Sequence, residues 1–322
     1  MSVLVYTESE EGKIKKIAFE AISYAKGIAD QLGTTVTAVS INANDTAQLA
    51  KYGASKVLEV SNEKLNKFNG EAYADVITQA AQKEGAKVIV LTSSANSKFL
   101  APTLAVDLNA GFVPNVTALP ESTSPFKVKH SVFTNKAFAH TEIKTDVKII
   151  GLGKNSYGLK ENETSISTED FSPNLDAHDF DMEVVSVDKA TDKVTIADAE
   201  IVVSGGRGLK GPENWGMIED LAKTLGAATA CSKPVSDMGW RPHSEHVGQT
   251  GKPVSSNLYI AIGISGAIQH LAGINSSKVK VVINNDPEAP FFKAADYGMV
   301  GDAFEIVPKL TEKLKEFKAQ NN

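Results

Sequence analysis

The sequence predicts an α/β protein of two domains, each a mostly parallel sheet flanked by helices. Three observations support this prediction: the length, the apolar content, and a strand–helix–strand rhythm that starts twice. At about 150 residues per domain, 322 residues correspond to about two domains. Hydrophobic residues make up 42% of the chain and charged residues 22%. This composition gives each domain an ordinary core and excludes disordered, fibrous and disulfide-stapled classes.

In the first domain, predicted over residues 1–195, short apolar runs alternate with helical spacing. Apolar residues three and four positions apart between Ile14 and Leu32 predict a helix that ends at Gly33. A second helix is predicted over residues 72–83, ended by Gly85. Strands are predicted at residues 3–6, 36–41, 57–60 and 88–91. This order is typical of a parallel sheet covered by helices.

The rhythm changes after residue 125. Alternation with period two over residues 126–132, 137–143 and 147–150 predicts an antiparallel edge on the same sheet. Residues 154–181 are polar and carry seven acidic side chains, so we expect a surface excursion there. The domain boundary is predicted near residues 190–200.

The second domain, predicted over residues 196–322, restarts the α/β rhythm. Strands are predicted at residues 201–203, 258–262, 279–283 and 304–307. A helix buries Met217, Ile218, Leu221 and Leu225, and a last helix is predicted to begin at Pro308.

Charge and cysteine content narrow the class of protein. Lys and Arg total 33 against 39 Asp and Glu, a net charge of -6, which argues against a nucleic-acid-binding surface. The single cysteine, Cys231, cannot form an intrachain disulfide or a cysteine-based metal cage. No apolar run approaches the roughly 18 to 20 residues that span a bilayer, and the first residues are typical of a strand rather than a leader. We therefore expect a cytoplasmic protein without a membrane span, in preference to one of the mitochondrial matrix.

A glycine cluster follows the first strand of the second domain. Gly206, Gly208 and Gly211 fit the spacing G-x-G-x-x-G between a strand and a helix. The nicotinamide version of this motif also needs an acidic residue about 20 positions on, and residues 228–232 contain none. A nucleotide of another kind and a plain tight turn both stay open.

A second cluster, residues 247–253, resembles a phosphate loop only superficially. The first glycine of that motif would fall at His246, and Pro253 stands where its hydroxyl belongs. The segment is either a turn between elements or a loop that offers Gln249 and Thr250 to a bound ring.

The third cluster is the most informative, because a predicted strand runs directly into residues 263–270. A Ser-Gly-Ala helix start exposes unpaired N–H groups and the positive end of the helix dipole, a natural seat for a pyrophosphate. His270 would lie in that helix, either packed or facing a ligand. Asn284 and residues 286–290 follow another strand, with Asp296 and Asp302 beyond. Ligands of open α/β sheets bind at the carboxyl ends of strands, so these loops predict one crevice.

The sequence contains no motif typical of a metal site or of a hydrolase. There is no metal-ligand spacing, His243 and His246 lack the Glu of a zincin, and no G-x-S-x-G elbow is present. In the first domain, residues 92–96 follow a strand and could hold phosphate or simply cap a helix.

Together these motifs closely resemble the alpha subunit of electron transfer flavoprotein. Five segments match in order: 203–208, 247–252, 258–261, 265–273, and Asn284 with 286–290. The resemblance implies an FAD held by the second domain and a beta subunit that completes a heterodimer through contact with the first domain. The partner would hold AMP or a second FAD.

The resemblance also implies which residues contact FAD. Ser265 to Ala267 would meet the pyrophosphate, Thr250 would lie near flavin N5 and His270 near the pyrimidine edge. Asn284 and Asp302 would contact the adenosine part of FAD. The full implied set is Arg207, Ser232, Lys233, Val247, Gly248, Gln249, Thr250, Ser265, Gly266, Ala267, Ile268, Gln269, His270, Asn284, Asp302 and Ala303.

One position departs from the family, which usually has Ser-Arg where this chain has Ser232-Lys233. A cation roughly 6 Å from the flavin, at an effective dielectric near 20, favours the anionic reduced forms by on the order of 3 kcal/mol, or about 100 mV for one electron. Lysine keeps the charge but loses the planar fork of arginine. We therefore expect a tuned redox potential rather than a lost function.

The implied function is that of an electron carrier, not an enzyme with substrate bond chemistry. FAD would accept electrons from flavin dehydrogenases, such as the acyl-CoA dehydrogenases of fatty acid beta-oxidation. It would pass them to a membrane quinone oxidoreductase or respiratory chain. One alternative is a subunit of an electron-bifurcating, NADH-dependent flavoprotein. Another alternative is a structural or nucleotide-binding module that does not transfer electrons.

Overall fold

The computed structural model describes residues 2–182, 184–187, 195–196 and 199–321. The chain forms two compact units, Met1–Val132 with Ala137–Val187, and Phe133–Lys136 with Asp188–Asn322. Because most of residues 188–198 lie outside the described part of the chain, the boundary at residue 195 stays a prediction.

The first unit is built on a ten-stranded sheet. Its strands are β1 (Ser2–Thr7), β4 (Thr35–Ile41), β5 (Lys56–Val60), β6 (Val88–Leu91), β7 (Gly111–Val116), β8 (Ser122–Thr123), β9 (Phe126–Val132), β10 (Ala137–Glu142), β11 (Lys148–Leu152) and β12 (Ser167–Asp170), while β2 (Ser9–Glu10) and β3 (Lys13–Ile14) form a separate hairpin. The helices are α1 (Lys16–Leu32), α2 (Gly70–Glu84) and α3 (Ala95–Asp107). The order is β10-β9-β7-β11-β6-β1-β4-β5-β12, with β8 beside β9.

The helices of the first unit begin and end where local chemistry predicts. Gly33 ends α1 and Gly85 ends α2, each with positive φ in the left-handed region that glycine adopts readily. Ser94 caps α3 by accepting a hydrogen bond from the backbone N–H of Ser97 at 3.0 Å. For residues 92–96 the helix-capping alternative is therefore confirmed.

A buried carboxylate fixes the loop after β11. Glu20 of α1 is 6% exposed and accepts backbone N–H bonds from Asn155, Tyr157 and Gly158 at 3.0, 2.9 and 2.8 Å. Three charge-assisted bonds replace the water that burial removes. This loop is thereby tied to α1.

Two expectations for the first unit need correction. Residues 147–150 were predicted as part of an antiparallel edge, but β11 lies inside the sheet, parallel to both β6 and β7. Within the described part of this sheet, the antiparallel pairings are those of β9 with β7, β8 and β10. The polar segment 154–181 also contributes β12, an edge strand parallel to β5. Glu169 of β12 pairs with Lys56 and Lys83, and hydrogen bonds from these lysines lower the pKa of Glu169 to about 2.

The second unit is a five-stranded, fully parallel sheet. Its elements are β13 (Ile201–Gly205), α4 (Gly216–Leu225), β14 (Ala228–Cys231), α5 (Lys233–Asp237), β15 (Leu258–Ile262), α6 (Ile268–Ile274), β16 (Val279–Asn284), β17 (Tyr297–Val300) and α7 (Ala303–Asn321). One apolar cluster lies on each face of the sheet, including Tyr259 and Phe291 on one face and Trp215 and Leu221 on the other. The fold class, two α/β domains with a doubly wound second domain, is confirmed.

The C-terminal elements correct two further predictions. Residues 304–307 were expected to form the last strand, and the last helix was expected to start at Pro308. The last strand is instead β17, and α7 already begins at Ala303 with Pro308 inside it. Asp302 caps this helix by accepting a hydrogen bond from the N–H of Phe304 at 2.9 Å.

Candidate functional site

The strand order of the second unit fixes where a ligand can bind. The order β14-β13-β15-β16-β17 reverses direction between β13 and β15. Helices that cross to opposite faces leave a crevice at such a switch point, outside the carboxyl ends of the strands. The loops that follow β13 and β15 form the walls of this crevice.

These two loops meet backbone against backbone. The N–H of Gly206 donates to the carbonyl of Ile262 at 2.8 Å, and that of Gly208 donates to the carbonyl of Gly263 at 3.0 Å. A Cβ atom on Gly206 would lie 2.1 Å from the Gly263 oxygen. The glycine spacing is therefore required by the approach of two loops. The tight-turn alternative accounts for this motif, and residues 207–209 form a short 3-10 turn.

The loop after β15 is held from one side and exposed on the other. Asn284, which is 8% exposed, donates its side-chain N–H to the carbonyl of Ile264 at 3.0 Å. Gly266 has φ +84°, and a Cβ there would lie 2.5 Å from the backbone nitrogen of Phe291. Ser265 and Ala267 face outward and are exposed. The loop thus offers its backbone to a ligand on one surface only.

Helix α6 begins at the end of this loop. Ala267 is the N-cap residue and has no side chain that could satisfy the first N–H groups. The carbonyl of Ala267 accepts from the N–H groups of His270 and Leu271. The N–H groups of Ile268 and Gln269 lie at the positive end of the helix dipole, and both residues are exposed, a favourable position for an anion.

His270 lies in the first turn of α6 and is 6% exposed. Its Nε2 atom is 3.0 Å from the hydroxyl oxygen of Tyr259, while Nδ1 has no hydrogen-bond partner among the described residues. Burial lowers the pKa of His270 to about 4, His246 nearby acts in the same direction, and the neighbouring Val247 backbone opposes both. The imidazole is therefore neutral at neutral pH.

The loop over residues 247–250 sits against α6. The N–H of Val247 donates to the carbonyl of Cys231 at 3.0 Å, and the N–H of Gln249 donates to the carbonyl of Gln269 at 2.7 Å. A Cβ on Gly273 would lie 2.6 Å from the Cα of Gly248, so loop and helix touch along their backbones. Gln249 and the neighbouring threonine are exposed. This contact joins two of the predicted contact segments, residues 247–250 and 265–270.

Other predicted contact residues follow β13 and β14. Arg207 is exposed in the turn after β13. The N–H of Ser232 donates to the carbonyl of Gly205 at 3.1 Å, which places the Ser232 backbone beside that turn. Lys233 is exposed, and its Nζ is 2.8 and 2.7 Å from the two carboxylate oxygens of Asp237. A counterion thus accompanies the cation that the sequence places here.

The remaining predicted residues follow β16 and β17. Asn284 ends β16, and its carbonyl accepts from the N–H of Gly301 at 3.0 Å. Asp302 and the buried Ala303 come next, at the start of α7. Asp296, also considered from the sequence, accepts from the N–H of Lys280 at 2.7 Å and serves as a fold contact.

Sequence reasoning missed two buried polar groups at this site. Tyr259 lies in an apolar strand and is typical of core packing by its position, while His246 was considered only as a metal ligand. His246 is 3% exposed, and its Nδ1 has no partner within the described part of the chain. Burial, with His243 and Lys233 nearby, lowers the pKa of His246. The sequence feature that could have identified His246 is its position, one residue before the loop at 247–250.

Two further properties of the described residues concern metal sites and membrane-spanning helices. No group of three or more His, Cys, Asp or Glu residues among them could hold a metal ion. Within the same residues, no helix has both the length and the apolar content that a membrane crossing requires.

The fold and the site together are typical of a cofactor-binding α/β protein. A helix start that favours an anion and a buried neutral histidine lie at the same crevice. Two family models match the chain: "Electron transfer flavoprotein domain" over residues 3–173 and "Electron transfer flavoprotein FAD-binding domain" over residues 195–275. The chain belongs to the electron transfer flavoprotein alpha-subunit family. It is accordingly a flavoprotein and an electron carrier, not an enzyme.

Individual relatives agree along the whole length. The chain is 37% identical over 317 residues to "Electron transfer flavoprotein subunit alpha" of Bacillus subtilis, covering 98% of this chain and 97% of that protein. It is 36% identical to "Probable electron transfer flavoprotein subunit alpha, mitochondrial" of Caenorhabditis elegans, covering 97% and 93%. "Protein FixB" of Clostridium saccharobutylicum is 32% identical, covering 98% and 96%.

Proposed function

We propose that the second unit binds one FAD and that the protein carries electrons from flavin dehydrogenases to a quinone oxidoreductase. The observation that carries this proposal is the pairing of two features in one crevice. One is the α6 start, whose N-cap lacks a polar side chain, and the other is the buried, partnerless Nδ1 of His270. A pyrophosphate and a heteroaromatic ring of one dinucleotide meet these two needs.

The residues present fit the cofactor in three parts. Ser265, Gly266 and Ala267 would receive the pyrophosphate, because they precede the start of α6 and Ser265 and Ala267 are exposed. Thr250 and His270 would contact the ring system, the former from the exposed loop and the latter from the buried side.

The adenosine would lie toward β16 and β17. Asn284 and Asp302 would contact it, with Ala303 beside them. Arg207, Ser232 and Lys233 would line the opposite wall, and the rest of the proposed set is Val247, Gly248, Gln249, Ile268 and Gln269.

FAD, when bound, supplies the redox chemistry, accepting and releasing electrons one or two at a time. The chain's own residues bind it, orient it and set its electrostatics. A neutral His270 can donate to the ring without adding charge, whereas Lys233 adds a cation that Asp237 partly balances. The net charge at the ring therefore depends on both members of that pair.

We propose a beta subunit as the partner, consistent with the "subunit alpha" in the relatives' names, and the first unit as the part that contacts it. Helix α3 supports this assignment, since Phe99 and Val106 on it are 69% and 80% exposed. These two residues are seven positions apart and so share one face of the helix, and a contiguous exposed apolar patch is typical of an interaction surface. AMP or a second FAD in the partner belongs to the same proposal, as do acyl-CoA dehydrogenases as electron donors.

The test is to co-express the full chain with its beta subunit and to count flavin and adenine nucleotide per heterodimer. We expect one FAD and one AMP, and bleaching of the flavin by an acyl-CoA with its dehydrogenase. Two FAD molecules and direct reduction by NADH would instead indicate the bifurcating alternative. A complex that stays colourless after incubation with FAD would refute flavin binding at this site.

A matched pair of variants probes the site itself. Asn284→Ala removes the bond that holds the loop after β15 and should weaken FAD binding about tenfold, the loss expected for a buried amide hydrogen bond and its neighbours. Asn285→Ala changes the adjacent exposed residue and should leave FAD binding unchanged.

A further inference from the structure

Tyr259 is a buried polar residue that is not among the residues proposed to contact FAD. It lies in β15, is 0% exposed, and is the residue whose hydroxyl oxygen is 3.0 Å from Nε2 of His270. The Tyr259 and His270 rings are tilted by 58° with centroids 6.0 Å apart, and the Phe291 ring lies 6.1 Å from the imidazole. His270 therefore packs against two aromatic rings, and the Tyr259 hydroxyl group lies within hydrogen-bond distance of it.

The direction of this hydrogen bond determines where the imidazole proton lies. A neutral imidazole carries its proton on one nitrogen and accepts at the other. A phenol O–H is a stronger acid than an imidazole N–H, and an imidazole nitrogen is a stronger base than a phenol oxygen. Tyr259 therefore donates to Nε2, and the His270 proton is left on Nδ1.

Nδ1 is the atom that lacks a partner. Among the described residues no group, the neighbouring Val247 backbone included, has hydrogen-bond geometry to it, although His270 is more than nine-tenths buried. A buried donor without an acceptor is costly, so an acceptor supplied by a ligand is strongly favoured. A carbonyl oxygen on the pyrimidine edge of a flavin is such an acceptor.

We propose that Tyr259 is a positioning residue that fixes His270 with its proton on Nδ1, ready to donate a hydrogen bond to a flavin carbonyl. The consequence for FAD rests on the proposed function, whereas the tautomer is a property of the chain itself. The tautomer can therefore be tested without cofactor.

The experiment is nitrogen NMR on the flavin-free full chain with ¹⁵N-labelled histidine, at neutral pH. The His270 signals are assigned by their loss in His270→Gln. We expect a protonated Nδ1 and an unprotonated Nε2. In Tyr259→Phe, which keeps the ring and removes the hydroxyl, both tautomers should be populated, and FAD affinity of the complex should fall about fivefold, the worth of one net hydrogen bond.

Tyr24→Phe is the matched control. Tyr24 is equally buried, and its hydroxyl donates to the carbonyl of Ala118 at 3.0 Å in the first unit. This variant should change neither the His270 tautomer nor FAD affinity.

Each outcome decides the proposal. A wild-type His270 with its proton on Nε2 overturns it, even if Tyr259→Phe does not fold. Tyr259→Phe with an unchanged tautomer also overturns it. If the expected tautomer is seen but no variant and no wild-type complex binds FAD, the positioning role stands and the proposed function fails.

Discussion

Acidification should destabilise the second unit through His270. Burial lowers the pKa of His270 in the folded state to about 4, whereas an unfolded histidine titrates near 6.5. Between these values the unfolded chain binds a proton that the folded chain does not. The free energy of unfolding is therefore highest above pH ~6.5 and falls as the pH is lowered toward 4. At about 1.4 kcal/mol per pKa unit, the loss is on the order of 3 kcal/mol.

The assay uses the chain's own fluorophores. Both tryptophans, Trp215 and Trp240, belong to the second unit, so urea unfolding followed by tryptophan fluorescence reports on that unit. Unfolding free energies are measured on the flavin-free full chain between pH 4 and 8. His246, whose pKa burial also lowers, adds a loss of the same sign in this window.

His270→Gln removes the titrating group. The fall in the free energy of unfolding between pH 6.5 and pH 4 should therefore be smaller in this variant by on the order of 3 kcal/mol. The control is His178→Gln in the first unit. The hydrogen bond that His178 donates to the Asp181 carboxylate raises the pKa of the exposed His178. The linkage of His178 to stability therefore has the opposite sign, and its substitution should leave the tryptophan signal unchanged. Equal losses of stability in wild type and His270→Gln on going from pH 6.5 to pH 4 would refute the assignment.

Three further predictions concern other parts of the chain. Gly206→Ala, whose Cβ would lie 2.1 Å from a backbone oxygen, should cost about 3 kcal/mol or more in urea unfolding, while Gly216→Ala, which meets nothing within 4 Å, should cost no stability. Glu20→Gln weakens three charge-assisted bonds and should lower the first unit's stability by about 1 to 3 kcal/mol, measured by far-ultraviolet circular dichroism on heating. Lys233→Ala should lower the FAD midpoint potential and Asp237→Asn should raise it, each by tens of mV in order of magnitude, in a potentiometric titration; shifts of the same sign would contradict the pairing.

Local periodicity predicted most elements but not their neighbours in the sheet. The helix ending at Gly33 and the strands β1, β4 and β6 were predictable because burial on one helical face, or on both faces of a strand, leaves a pattern in the sequence. The position of β11 in the sheet was not predictable. Alternation of apolar and polar residues describes the two faces of one strand, but it does not show which other strands pair with that strand.

The error at residues 304–307 has a different cause. Four apolar-rich residues fit a strand or a helix equally well, and only flanking signals decide between them. Asp302 followed three residues later by Glu305 is such a signal, since an acidic cap and an acidic first turn both favour a helix start. The N-cap chemistry at Asp302 was therefore visible in the sequence, although it was assigned to ligand contact alone.

The candidate site shows that a matching motif and its physical cause can differ. The glycines at 206 and 208 fit a phosphate-binding pattern, yet the structure requires them because the loops after β13 and β15 share backbone hydrogen bonds. We propose the phosphate position instead at the start of α6, where the N-cap Ala267 provides no side-chain cap. Because the first feature brings the second into the crevice, substitution at Gly206 should weaken FAD binding without any contact with the cofactor.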